Sequence, residues 1–203
     1  MATRPYEQKA RAKEAERTRA RIIDAVFARL REAPAEPVAI DHVAREAGVA
    51  RSTVYATFGT RAGLFDAVGR ELAARSGYER LLDAKHQPDA RGHLRAGFRA
   101  STEMLAANRD VYRALRSMAQ LDEEAVGGVV RRMDEERANG MTRLARRLAE
   151  QGVLRPGLSV EDAEHVLWVL SSFESFDALF TGRGLSIDRT VEILVDAAER
   201  ALY

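Results

Sequence analysis

The apolar residues of this chain recur with a helical period almost without interruption from residue 14 to residue 202. No strand-length stretch alternates with period two. That pattern excludes a sheet core and leaves helix-on-helix packing. Ile22, Ile23, Val26, Phe27 and Leu30 share one face of a first helix, which Pro34 and Pro37 close. Two short periodic pieces follow at 40–47 and 51–58, separated by Gly48-Val49-Ala50. A longer helix is predicted over 61–83, with Leu64, Phe65, Val68, Leu72 and Leu81 facing inward. Further helices are predicted over 89–107, 109–119, 122–151, 160–181 and 187–202. Asp89 stands where it caps the helix after Pro88, and Ser159 with Asp162 has the spacing of a capping box. The chain is predicted to be all-α.

With 203 residues, 46% of them hydrophobic and 31% charged, the chain is long enough to bury a substantial core. It contains no cysteine, which excludes disulfide scaffolds, thiol catalysis and cysteine-ligated metals. Its longest apolar run, Val166–Leu170, is far shorter than a membrane span, and its first residues lack the apolar stretch of a secretory signal. The expectation is a cytoplasmic protein with no membrane association. Charge is unevenly placed. Residues 1–21 carry seven basic residues (Arg4, Lys9, Arg11, Lys13, Arg17, Arg19, Arg21) against Glu7, Glu14 and Glu16, a net of +4. The whole chain is +1, so the remainder carries −3. A basic arm ahead of a mildly acidic body is a charge asymmetry found in nucleic-acid binders, although a solvated terminus has the same composition.

The segment from Ile40 to Phe58 carries the most specific signal. Ile40, Val43, Ala44 and Ala47 form one inward stripe, and Val54 and Phe58 form a second. Gly48 falls at a tight turn that wants a left-handed residue, with Val49 returning to the core. Arg51, Ser52, Thr53, Tyr55 and Thr57 then point outward from the second piece. This is the spacing of a helix-turn-helix, whose second helix enters the DNA major groove by its N-terminal end. An arginine fork at Arg51 suits guanine O6 and N7, and Ser52 and Thr53 are short enough to reach bases or phosphates. Tyr55 and Thr57 are placed to donate to phosphate oxygens, fixing register without reading sequence.

The run Gly48-Val-Ala-Arg-Ser-Thr-Val-Tyr-Ala-Thr-Phe-Gly-Thr-Arg-Ala-Gly-Leu-Phe65 resembles the recognition stretch of the tetracycline-repressor (TetR) family of transcriptional regulators. The helix Thr18–Leu30 resembles that family's first helix, and the likeness is specific over about residues 15–70. Several positions depart from the family pattern. Ala39 and Ala50 stand where Ser or Thr usually caps the two short helices, Thr57 replaces a His, and Arg61 replaces a Lys. Arg61 keeps the cation, and so a phosphate contact. The resemblance implies an N-terminal basic arm and three-helix DNA-binding domain with the helix-turn-helix over 1–62. A helical ligand-binding and dimerisation domain would follow over 63–203. It further implies a homodimer through the last two helices, about 160–202, on a palindromic double-stranded operator, and a repressor released by a small-molecule effector.

The residues of the second part agree with a partner surface. From Val160 to Phe180 apolar side chains cover more than one helix face, and Val191, Leu194, Val195, Ala198 and Leu202 offer a matching stripe. Burial of both faces within one subunit is the alternative. Phe98, Leu105, Tyr112, Met118, Met133 and Trp168 are candidates for an apolar effector cavity, with Thr102, Arg137 and Ser172 as polar groups that orient a ligand. Met and aromatic residues at this spacing are more often plain core, and an arginine placed like Arg137 more often forms an ion pair with a neighbouring Glu. A small helical enzyme or a protein-binding adaptor are the rival classes. Asp83-x-x-His86 and Asp162-x-x-His165 have the carboxylate–histidine spacing of helix-bundle metal sites, but use Asp where those sites use Glu and lack the further carboxylates. No HExxH, phosphate loop or Gly-x-Ser-x-Gly is present. No catalytic residue, metal or cofactor is expected.

Overall fold

The computed structural model describes residues 4–34 and 36–203, with side chains from Gln8 onward. Of the basic arm, Met1–Thr3 and the side chains of Arg4 and Glu7 lie outside the described residues. The described residues form eleven α-helices and no strand. They are α1 (Arg4–Glu32), α2 (Ile40–Glu46), α3 (Arg51–Phe58), α4 (Arg61–Arg75), α5 (Tyr78–Asp83), α6 (Ala90–Ala107), α7 (Arg109–Leu121), α8 (Gly128–Glu150), α9 (Val160–Leu170), α10 (Phe173–Phe180) and α11 (Ile187–Leu202). A 3₁₀ turn at Ala84–His86 follows α5, and a π turn at Glu123–Gly127 precedes α8. None of the described helices is long and apolar enough to cross a membrane.

The chain divides into two compact units, Met1–Glu71 with Arg113–Val130, and Leu72–Tyr112 with Arg131–Tyr203. The first unit therefore extends past the expected limit at residue 62. Leu64, Phe65, Ala67 and Val68 of α4 are all buried, and Gly69 lies directly against the Val129 side chain. The stripe of α1 is buried as its spacing requires, from Ile22 to Leu30, with Ile40, Val43, Ala44, Ala47 and Val54. The first half of α1 is different: Gln8–Arg17, Ala20 and Arg21 are exposed.

In the second unit the core is a stack of i, i+4, i+8 residues from four helices. Ala90, Leu94 and Phe98 of α6 meet Leu144, Ala145 and Leu148 of α8, Ala163 and Leu167 of α9, and Leu194, Ala198 and Leu202 of α11. Leu194, Ala198 and Leu202 of the α11 stripe expected to face a partner are thus spent in this core. Val169 of α9 is left 59% exposed, while Val166, Leu170, Leu179 and Val195 are half-buried. Arg147 ties the loop before α6 to α8 by donating to the carbonyls of Lys85, Gln87 and Pro88 at 2.8, 2.6 and 3.2 Å.

Two long helices of the sequence reading are broken. The helix expected over 61–83 stops at Ser76, whose hydroxyl donates to the Leu72 carbonyl at 2.6 Å, and Gly77 then adopts φ +74° before α5. The helix expected over 160–181 stops at Ser171, and Ser172 caps α10 by accepting from the Ser175 amide at 3.0 Å. In both cases the apolar period runs on through the break, and a short hydroxyl side chain competes with the helix backbone. The caps expected from sequence are present. Asp89 accepts from the Gly92 amide at 2.7 Å, and Ser159 and Asp162 form a reciprocal capping box.

Candidate nucleic-acid interface

The turn between α2 and α3 follows from Gly48, whose φ of +65° is strained for any residue bearing a Cβ. That conformation lets the Val49 amide donate back to the Ala44 carbonyl at 2.9 Å and turns the chain into α3. Ala39 and Ala50 begin the two helices in extended conformation with no side-chain cap, as their methyl groups require. Within α3, Val54 is buried and Phe58 is half-buried beneath the Arg19 guanidinium, 4.9 Å from the ring centre. These apolar anchors oblige the opposite face of α3 to look outward. Gly63 allows the next corner, because a Cβ there would run into the carbonyl oxygen of Phe58.

The outward face carries Arg51, Ser52 and Tyr55 in exposed positions, with Thr53 half-buried beside them. Arg51 is not loose. Its Nη1 donates to both carboxylate oxygens of Asp41 on α2, at 3.0 and 3.1 Å, and its guanidinium stands 5.7 Å from the centre of the Tyr55 ring. Tyr55, and then Asp41, hold the Arg51 guanidinium above its ordinary pKa, so it stays charged at any working pH. The two residues assigned to phosphate have partners within the protein. The Thr57 hydroxyl donates to the Thr53 carbonyl at 2.7 Å, which uses its proton. Arg61 is half-buried, paired with Asp122 and donating to the Val38 carbonyl at 3.2 Å. Asp122 in turn accepts from the Ala125 amide at 3.1 Å, capping the π turn.

Asp41 was not singled out by sequence, and two residues entered only as charges of the basic arm: Arg19, which lies over Phe58, and Arg21, whose guanidinium lies beside Gly48. The short apolar period of α2 hides Asp41 among ordinary polar positions, and its partner is ten residues away. The Arg19 and Arg21 contacts depend on where α1 passes the turn, which only the tertiary arrangement reveals.

The candidate effector residues divide between the units. Met118 is buried in the first. In the second, Phe98 belongs to the four-helix core and Tyr112 stacks on Phe173, with centroids 6.2 Å apart. Thr102 and Leu105 are buried, Met133 is half-buried, and Ser172 is the α10 cap. Arg137 and Trp168 come together: the guanidinium lies 3.3 Å from the centre of the Trp168 ring. Its Nη1 donates to the Trp168 carbonyl at 2.7 Å, and its Nη2 pairs with the Asp134 carboxylate on its own helix at 3.4 Å. Asp162 is occupied by Ser159, and no group of three or more metal-ligating side chains occurs among the described residues.

Residues 22–68 match the family model described as bacterial regulatory proteins of the tetR family. Solved structures of similar fold include three that align with nine-tenths or more of this chain. A proposed fatty acid metabolism regulator of Clostridium perfringens is 17% identical, with TM-score 0.71, covering 90% of this chain and 98% of its own. FadR of Bacillus subtilis, in complex with stearoyl-CoA, is 15% identical, with TM-score 0.69 and coverage of 91% and 99%. NalD of Pseudomonas aeruginosa, the secondary repressor of the MexAB-OprM multidrug efflux pump, is 23% identical, with TM-score 0.67 and coverage of 93% and 97%. Among curated proteins none matches the chain in sequence.

Proposed function

We infer from the match of residues 22–68 that the chain belongs to the tetR family of bacterial regulatory proteins, and on that premise we propose that it represses transcription by binding operator DNA and is released by a small molecule. The observation that carries the reading is α3, anchored by Val54 and Phe58, with Arg51, Ser52 and Tyr55 on its exposed face. Arg51 reads a base, and Ser52, Thr53 and Tyr55 set the register on phosphate and sugar. Thr57 and Arg61 reach phosphate only after leaving Thr53 and Asp122.

The chain works as a homodimer. Val169, with the half-buried Val166, Leu170 and Leu179, supplies the apolar surface that a second copy covers, so the operator has two-fold related half-sites about one helical turn or more apart. The effector binds the second unit; that a small molecule acts at all is supported by the neighbour of like fold solved in complex with stearoyl-CoA. It acts by favouring a conformation in which the two copies of α3 no longer match successive grooves.

Gel-shift titration against the intergenic DNA upstream of the protein's own gene tests this, with scrambled duplex as competitor and salt varied. Preference for the intergenic duplex over scrambled, with affinity falling steeply as salt rises, is the expected result. Equal binding to both duplexes at every salt concentration would overturn the reading.

A further inference from the structure

Arg51 begins α3 and Asp41 lies in the first turn of α2, so the bond between them crosses the helix-turn-helix. Both side chains remain more than half exposed, at 57% and 65%, so burial does not fix their position. Asp41 engages only Nη1 of the guanidinium. The opposite edge, Nε–H with Nη2–H, offers two parallel donors, the geometry that matches guanine O6 and N7. Tyr55, one turn further along α3, lies against the same guanidinium and limits rotation about the long side chain.

We propose that Asp41 is a positioning residue for sequence reading: it holds Arg51 so that the Nε/Nη2 edge faces a guanine, and its charge keeps Arg51 from settling on a phosphate. This rests on the DNA-binding reading above and deepens it. Two consequences oppose each other in sign. A carboxylate beside the duplex repels phosphate and so weakens binding to every sequence. A pre-oriented fork loses less side-chain freedom on meeting its base, which raises the preference for that base. Asp41 thus lowers general affinity while raising discrimination. A surface ion pair between two helices, or an acid placed favourably near the α2 N-terminus, would change stability but not base preference.

The experiment selects binders from a random 20-base-pair duplex library with the full-length wild type, Asp41→Asn, Arg51→Ala and the double variant. Thermal melts confirm that each is folded. The wild type is expected to enrich a guanine that Arg51→Ala no longer enriches. Asp41→Asn is expected to lose about three- to tenfold of that preference while binding unselected duplex more tightly. The double variant should match Arg51→Ala at that position, showing that Asp41 acts through Arg51. Asp41→Glu, which keeps the charge on a longer arm, should recover part of the preference. If Asp41→Asn enriches the same guanine as strongly as the wild type, Asp41 does not position Arg51. If the wild type enriches no sequence at all, it is the DNA-binding reading that fails.

Discussion

Asp122 carries two separable duties, and removing it in two ways apportions them. One oxygen accepts from the Ala125 amide at 3.1 Å, and the other pairs with Arg61, which also holds the Val38 carbonyl and stands over Phe65. A cap of this kind is worth about 1 kcal/mol. The ion pair lies between the two usual limits, with side chains 29% and 31% exposed. Exposed pairs contribute about 0–1 kcal/mol, and breaking a fully buried pair costs about 3–5 kcal/mol, so about 1–2 kcal/mol is expected here. Asp122→Ala loses both duties, about 2–3 kcal/mol, whereas Asp122→Asn keeps the cap and loses only the pair. At roughly 2–4 °C per kcal/mol for a chain of this size, thermal melts followed by helical circular dichroism should show losses of about 4–12 °C and 2–8 °C respectively. Asparagine melting with the wild type would show that the Arg61 pair adds nothing. Equal losses for both variants would show that the cap is the part without weight.

Gly63→Ala places a methyl group against the Phe58 carbonyl oxygen, and the α3–α4 corner must open to admit it. A loss of about 1–3 kcal/mol in urea unfolding is expected, with weakened DNA binding, and an unchanged midpoint would refute the close approach. Burial, then Arg147 and Arg143, push His93 below its ordinary pKa, so the unfolded chain takes up that proton first. Stability should hold above about pH 6.5 and decline as pH falls from there toward the folded value; His93→Gln should flatten the decline, and a parallel curve would exclude His93 as its source. The Tyr203 hydroxyl is buried without a hydrogen-bond partner among the described residues, and burial with Glu199 pushes its pKa up to about 12. Tyr203→Phe should therefore cost nothing in urea unfolding and gain up to about 1 kcal/mol, while removing a phenol that titrates at about 12 from an ultraviolet pH titration. A clear destabilisation would mean that the hydroxyl has a partner after all.

What could be read from sequence was whatever a local pattern encodes. The α1 stripe, the Gly48 turn, the Asp89 cap and the Ser159–Asp162 box each depend on residues within one or two turns of each other, and each is present. The breaks at Ser76-Gly77 and Ser171-Ser172 were not legible, because apolar residues keep helical spacing across both and the deciding groups are hydroxyls that suit a helix interior or a cap equally. Within the candidate interface, sequence found the outward face of α3 but not what each cation does there. Arg51 is held by a residue ten positions earlier and Arg61 by one sixty-one positions later, and pairing at that separation is decided by tertiary packing. The same holds for α11: its stripe was evident, but that it fills the core of its own subunit depends on where α6 and α8 lie.

Helix α1 is continuous in its hydrogen bonding yet unequal along its length. From Ile22 to Leu30 it is locked by burial, while Gln8–Arg17 is a solvated helix with little beyond its own backbone and an exposed Arg17–Glu14 pair to sustain it. A solvated stretch of that length is near the helix–coil balance in water. Its amides should therefore exchange with solvent orders of magnitude faster than those of Ile22–Leu30, although no break separates them. The positive charge it carries is then spread over an ensemble whose reach depends on temperature and ionic strength. A polyanion laid along Lys9, Lys13 and Arg17 would shift that balance toward helix, so the arm's slowed exchange on DNA would report the encounter independently of α3.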